Sequence, residues 1–153
     1  MTSDEPRWLT DEQQRAWRQW LLLTARLPAR LNRQLLADSE LSLPDFDVLV
    51  HLTDVDSGRL RVLELGRALQ WEKSRLSHHL TRMERRGLVR REDCAADGRG
   101  FEVVVTDAGL AALRAAAPAH VETVQQLVFD GLSAAQVRAM ADIADTVLAR
   151  LGD

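Results

Sequence analysis

The stretch 72–86 contains side chains whose types and spacing suit the recognition of a polyanion. Taking it as a helix with about 100° between residues, Leu80 and Met83 fall within about 40° of Leu76 and form an apolar seam. Ser74, His78, Thr81, Arg82 and Arg85 then lie on the opposite side, with Arg75 at the flank. This outer face carries hydroxyls, an imidazole and guanidinium forks, and it holds neither an acid nor a large apolar group. Such groups bond phosphate oxygens and base edges, and arginine pairs above all with the guanine edge in the major groove. Competing chemistries find no support. There is no Gly-rich phosphate loop, no nucleophile with a base partner and no framed carboxylate pair, so an enzyme is not expected. His51, His78, His79 and His120 lack metal-ligand spacing, so neither a metal nor another cofactor is expected.

Charge distribution supports the same chemistry. The 153-residue chain has 20 basic and 23 acidic residues, a net charge of −3. Between positions 59 and 99, eleven basic residues face six acidic ones, a local net of +5, which leaves −8 on the rest. A basic block inside an acidic chain is the footprint of a polyanion partner, although an Arg-rich solvated helix face would look the same in a charge count. Hydrophobic residues make up 46% and charged residues 28%, an ordinary globular composition for one domain. No apolar run reaches the roughly 20 residues of a membrane span, and the polar, acidic start is no secretory signal. With Cys94 as the single cysteine, no internal disulfide can form, and a reducing, cytoplasmic setting fits.

The elements that must position this face can be read from caps and periodicity. Thr10 with Gln13 forms a capping box that opens a long helix over 10–38, and Pro28 predicts a kink or break within it. Ser42-Leu43-Pro44-Asp45 starts a second helix running to about position 54. A strand stub over 59–62, a short amphipathic helix over 62–69 and the helix over 72–86 follow, the last closed by Gly87 in a left-handed cap. Strands are predicted over 88–92 and 101–106, joined by a Gly-rich charged tip. Thr106 or Asp107 caps a fifth helix, with a bend expected at Pro118 and an end at Gly131. Ser133 with Gln136 opens a last helix.

Two short helices, a tight turn and a two-stranded hairpin make a winged helix-turn-helix. The expected fold class is therefore mainly α (α+β), with N- and C-terminal helices as a dimerisation region. At the wing tip, Arg99 is placed to enter a neighbouring minor groove, with Asp97 able to brace its guanidinium; an ordinary charged loop is the alternative. Trp71, at the turn, reads most simply as a plug packing the two short helices together. Trp17 and Trp20 share a face that either lines an effector cleft with His51 or packs in a core or dimer interface. Cys94 at the base of the wing invites a redox reading, but it has no second cysteine to resolve a sulfenic acid.

The order of elements, together with Leu-Pro-Asp-Phe-Asp-Val-Leu at 43–49, Lys-Ser-Arg-Leu-Ser-His at 73–78, Met-Glu-Arg-Arg-Gly-Leu-Val at 83–89, Asp-Gly-Arg-Gly at 97–100 and Val-Thr-Asp-Ala-Gly at 105–109, resembles the MarR family of bacterial transcription regulators. The likeness extends over about 10–150. It implies one domain, with dimerisation helices at 10–38 and 107–150 and a DNA-binding lobe at 43–106. It also implies a homodimer on a pseudo-palindromic operator, in many members released by a small aromatic or phenolic effector that enters between dimer helices and lobe. By position, Ser74, Arg75, Ser77, His78 and Arg82 match the family's recognition-helix contacts, with Lys73 beside them, and Asp97 and Arg99 match its wing pair.

A dimer also has a physical reason. One helix reads only a few base pairs, and a two-fold doubles the contacts across half-sites about one helical turn apart. The long first helix carries more apolar surface than one small core can cover, so part of it should meet another chain. The expected function is a sequence-specific transcriptional regulator, acting as a repressor. The competing reading is a winged module used for protein contacts or as a non-switching architectural DNA binder.

Overall fold

The computed structural model describes residues 5–94 and 100–152. Six helices and a small antiparallel sheet follow in the order α1 (Asp11–Asp38), α2 (Leu43–Thr53), β1 (Arg59–Arg61), α3 (Val62–Leu69), α4 (Lys73–Arg85), β2 (Val89–Asp93), β3 (Phe101–Val105), α5 (Asp107–Leu127) and α6 (Ala134–Leu151). This is a winged helix-turn-helix flanked by terminal helices. None of the helices among the described residues is long and apolar enough to cross a membrane.

Helices α1, α2, α5 and α6 each start where an N-cap hydroxyl accepts from an orphan backbone N–H. Thr10 and Gln13 exchange the two bonds of a capping box at 3.0 and 3.2 Å, and Ser133 and Gln136 do so at 2.9 and 3.2 Å. Ser42 and Asp45 form a third, with Pro44 in the first turn. The helical runs of α1 and α5 continue through Pro28 and Pro118 without a break. Each proline removes one i→i−4 bond, and helices of 28 and 21 residues retain enough neighbouring bonds to carry on. Contrary to expectation, α5 ends at Leu127, and Phe129–Gly131 forms a separate single 3₁₀ turn before α6.

The turns that close α3 and α4 are both Schellman closures. At the end of α4, Gly87 sits at φ 76°, its N–H bonds the Glu84 carbonyl at 2.9 Å, and the Leu88 N–H reaches the Met83 carbonyl at 3.0 Å. The same pattern closes α3, where Gln70 takes the left-handed position at φ 55° and the Trp71 N–H bonds the Gly66 carbonyl at 3.0 Å.

The sheet has three strands in the order β1-β3-β2, since the short β1 pairs with β3 (Arg59 opposite Val104). The wing proper pairs Val89 with Val105 and Asp93 with Phe101. The core lies between α2, α3, α4, the sheet and parts of α1 and α5, and centres on Leu35, Val48, Leu49, Leu52, Leu65, Leu80, Met83 and Val103. A buried polar junction joins three helices there. His120 of α5 stands 3.1 Å from Gln34 of α1 and 4.5 Å from the Phe46 ring of α2. Burial pushes the His120 imidazole below its usual range, against the opposing pull of Asp47.

One close approach fixes how the wing meets α5. The Thr106 hydroxyl caps α5 through the Gly109 N–H at 3.0 Å, which brings Gly109 against β2. A Cβ at Gly109 would lie 2.0 Å from the Leu88 carbonyl oxygen, a backbone atom with nowhere to go. Gly109→Ala should therefore cost at least about 3 kcal/mol of stability. Gly131→Ala, where an added Cβ meets nothing within 4 Å, serves as the control and should leave the urea midpoint unchanged.

Candidate nucleic-acid interface

The inner side of α4 buries Leu76, His79, Leu80 and Met83, and the outer side carries the polar set. Ser74, Ser77, His78, Thr81, Arg82 and Arg85 line one continuous shallow concavity with no acid among them. Two further members of the expected set, Arg75 and Lys73, do not line this concavity. Arg75 lies along the flank with its guanidinium carbon 4.3 Å from the centre of the Trp71 ring. Lys73 lines a second hollow, together with residues of α3, Arg91 and Phe101. Asp97 and Arg99 lie outside the described residues.

The helix is held in place by a clasp that the sequence reading did not anticipate. Asp45, 3% exposed, accepts from the Ser42 N–H at 2.9 Å as part of the α2 capping box. The same oxygen, Oδ2, accepts from Arg86 at 2.8 Å at the C-terminal end of α4. Its other oxygen lies 2.9 Å from His79 Nε2 on the buried side of α4. The His79 contact lies within ion-pair distance, but Nε2 makes no hydrogen bond of full geometry there. Arg86 continues across to the Glu40 carbonyl between α1 and α2. Burial alone would raise the Asp45 carboxyl. The contacts with His79 and Arg86, the Ser42 amide and the positive charge of Arg86 outweigh it and hold the group far below the usual carboxylate range.

His79 passes the arrangement outward. Its Nδ1 lies 3.2 Å from an Arg82 guanidinium nitrogen. Arginine can only donate, so Nδ1 is the acceptor in this contact. The Trp71 ring meets His79 edge-on at 5.3 Å and 84°. Trp71, Arg75, His79 and Arg82 thus form one connected flank of α4, and they line a hollow of about 620 Å³ with Pro28 of α1 and Pro44 and Asp47 of α2.

The wing grips the helix from the other side. Arg91 of β2 donates to the Ser77 carbonyl at 2.9 Å and the Thr81 hydroxyl at 2.6 Å, and its backbone N–H bonds Glu84 at 2.9 Å. On the solvent face of the sheet, Arg59 bridges Glu92 and Glu102 at 3.2 and 3.1 Å, and Arg90 bonds Glu92 at 2.7 Å. Cys94 is buried at the base of the wing. Trp17 and Trp20 are 51% and 44% exposed along the outer half of α1. His51 sits on α2 with Nδ1 2.8 Å from the Asp47 carbonyl. None of these three lines the hollow between α1 and α4.

These features define a winged-helix protein with an outward, acid-free reading face. The family model described as the MarR family matches residues 39–100. Sco3205, a MarR family transcriptional regulator of Streptomyces coelicolor solved in complex with DNA, is 41% identical, and the match covers 95% of this chain and 91% of that one with a TM-score of 0.89. AbsC, a MarR family regulator of the same organism, is 37% identical over 95% of this chain and 98% of its own, also with a TM-score of 0.89. The S. aureus MepR–DNA complex shares the fold, at 19% identity, over 87% and 95% of the two chains with a TM-score of 0.76. Among curated proteins none matches the chain. The chain belongs to the MarR family of transcriptional regulators, whose members are regulators and not enzymes.

The Asp45 clasp has a measurable pH signature. A carboxyl held below its ordinary value of 3.8 contributes stability that is fully present above that value and is lost as pH falls through the range below it. Asp45→Asn keeps the helix cap but removes the charge, and should cost about 1.5–3 kcal/mol at neutral pH. The variant should also show a flatter acid limb than the wild type in chemical denaturation across pH 2–6. Parallel acid limbs would assign that stability to other groups.

Proposed function

We propose that this protein is a sequence-specific DNA-binding transcriptional regulator, acting as a homodimeric repressor on a pseudo-palindromic operator. The observation that carries the reading is the acid-free concavity of Ser74, Ser77, His78, Thr81, Arg82 and Arg85 on the exposed face of α4. A helix of this width fits the major groove, where hydroxyls and imidazole bond phosphates and guanidinium forks bond guanine. Lys73 and Arg75 extend the contact surface along its two flanks. Arg99, with Asp97 bracing it, is proposed to reach the minor groove beside each half-site.

The homodimer is supported by surface that the single chain leaves uncovered. None of the α6 residues is buried, and Met140, Ile143, Val147, Leu148 and Leu151 are all exposed. Trp17, Trp20, Leu21, Leu22 and Leu23 on α1 add a second apolar stretch. Exposed apolar surface on this scale marks an interface. The segments 10–38 and 107–150 are the proposed dimerisation region, and 43–106 is the proposed reading lobe. A small aromatic or phenolic effector that releases the operator completes the reading. Trp17, Trp20 and His51 are its candidates from the sequence, and the hollow beside Trp71 and Arg75 is a second seat, favoured by its position between α1 and the reading helix.

Two measurements test this. In gel shifts against the upstream region of its own gene, Arg75→Ala and His78→Ala should each weaken specific binding by about 1–3 kcal/mol while leaving binding to random duplex nearly unchanged. Unchanged operator binding by both variants would remove α4 from the groove. Ile143→Asp combined with Leu148→Asp should convert the protein to a monomer in sedimentation velocity and abolish operator binding, and a persisting dimer would place the interface elsewhere.

A further inference from the structure

Trp71 lies outside the proposed reading face, yet it touches one of the arginines that would read DNA. The guanidinium carbon of Arg75 lies over the Trp71 ring, 4.3 Å from its centre, the distance of a cation–π contact. That ring is backed edge-on by His79 at 5.3 Å, and His79, 7% exposed, is itself set against the buried Asp45. Through His79 the ring is therefore joined to a column of contacts that ends in the core. A guanidinium stacked on an aromatic face has its flat side occupied, whereas its N–H donors all lie in the plane and remain available at the edge. Such a group has lost the freedom to swing towards the nearest phosphate. It meets a partner edge-on, as a planar fork, and the base edge that matches a planar fork is guanine O6 and N7.

We propose that Trp71 is a positioning residue for sequence reading: it presents the edge of Arg75 to one guanine in each half-site and turns a phosphate-seeking arginine into a base-reading one. This rests on the proposed entry of α4 into the major groove. The contrasting role, a plug between α3 and α4, predicts a different pattern. A plug that is trimmed lowers stability and weakens binding to all duplexes together. A positioning residue that is trimmed lowers discrimination at one base pair and leaves phosphate contacts as they were, so the slope of log Kd against log salt stays the same.

The test uses the full-length protein and the duplex it selects from a random library, with each guanine replaced in turn by 7-deazaguanine, which lacks the N7 acceptor. One guanine should cost the wild type about 10-fold or more in Kd, and that cost should vanish in Arg75→Ala. In Trp71→Leu the cost at that guanine should fall to within about 3-fold of none, with an unchanged salt slope. Trp71→Phe, which keeps an aromatic face, should restore most of it. Trp71→Leu combined with Arg75→Ala should discriminate no worse than Arg75→Ala alone. Should Trp71→Leu fail to fold, a fluorinated tryptophan placed at position 71 keeps the shape while draining the ring face of electron density, and discrimination should fall with each added fluorine. A guanine that depends on Arg75 but ignores every change at Trp71 would overturn the positioning role alone. If no guanine depends on Arg75, the groove reading fails and the positioning role with it.

Discussion

The arrangement of the winged lobe depends on a single buried carboxylate. A charge removed from water is costly unless it is paired, and Asp45 meets that condition through three partners on two helices. It closes the capping box of α2, meets the buried side of α4 through His79, and takes Arg86 at the end of α4. Removing any one partner leaves a lone pair or a donor without company in a low-dielectric setting. The interaction therefore ties the angle between α2 and α4 to local capping chemistry, and apolar packing of Leu76, Leu80 and Met83 could not set that angle so narrowly. Rotation of α4 about its own axis is limited from the far side by Arg91, which grips the Ser77 carbonyl and the Thr81 hydroxyl.

The basic block divides into two kinds of cation. Arg59, Arg86, Arg90 and Arg91 bond acids or oxygens within the fold, so their charge is largely engaged in holding the wing and the clasp. Arg82 and Arg85 line the outward concavity, and Arg75 and Lys73 stand at its two edges. The local excess of +5 thus overstates the charge available to a polyanion, and the outward groups decide how an incoming ligand is oriented.

Much of this was legible in the sequence because caps and periodicity are local. Thr10 with Gln13, Ser42 with Asp45 and Ser133 with Gln136 are each three residues apart, and Gly87 needs only its own φ. The apolar seam of α4 follows from helical spacing. What escaped were the polar groups that act across long separations. His79 lies about 60° from Leu76 on the same helical wheel, close enough to the seam to be buried, but nothing local says that Asp45 waits for it 34 residues earlier. Trp71 reads as a packing residue, since the arginine lying over it is visible only in three dimensions. The end of α5 was misplaced because Gly131 is a strong stop signal, and the helix stops earlier, at Leu127, in favour of a 3₁₀ turn.

The uncovered ridge of α6 has a consequence for supply. In the proposed dimer, Met140, Ile143, Val147 and Leu148 are shielded only by a second copy, so the settled form depends on meeting a partner and its population rises with the square of chain concentration while that is low. For such a dimer, a chain made alone would expose apolar surface of the kind that chaperones and proteases recognise, and would be open to clearance until it paired. Sporadic synthesis would then yield little dimer, and a sustained burst much more. The last helix would act as a threshold on dosage, set by geometry at the far end of the chain from any operator.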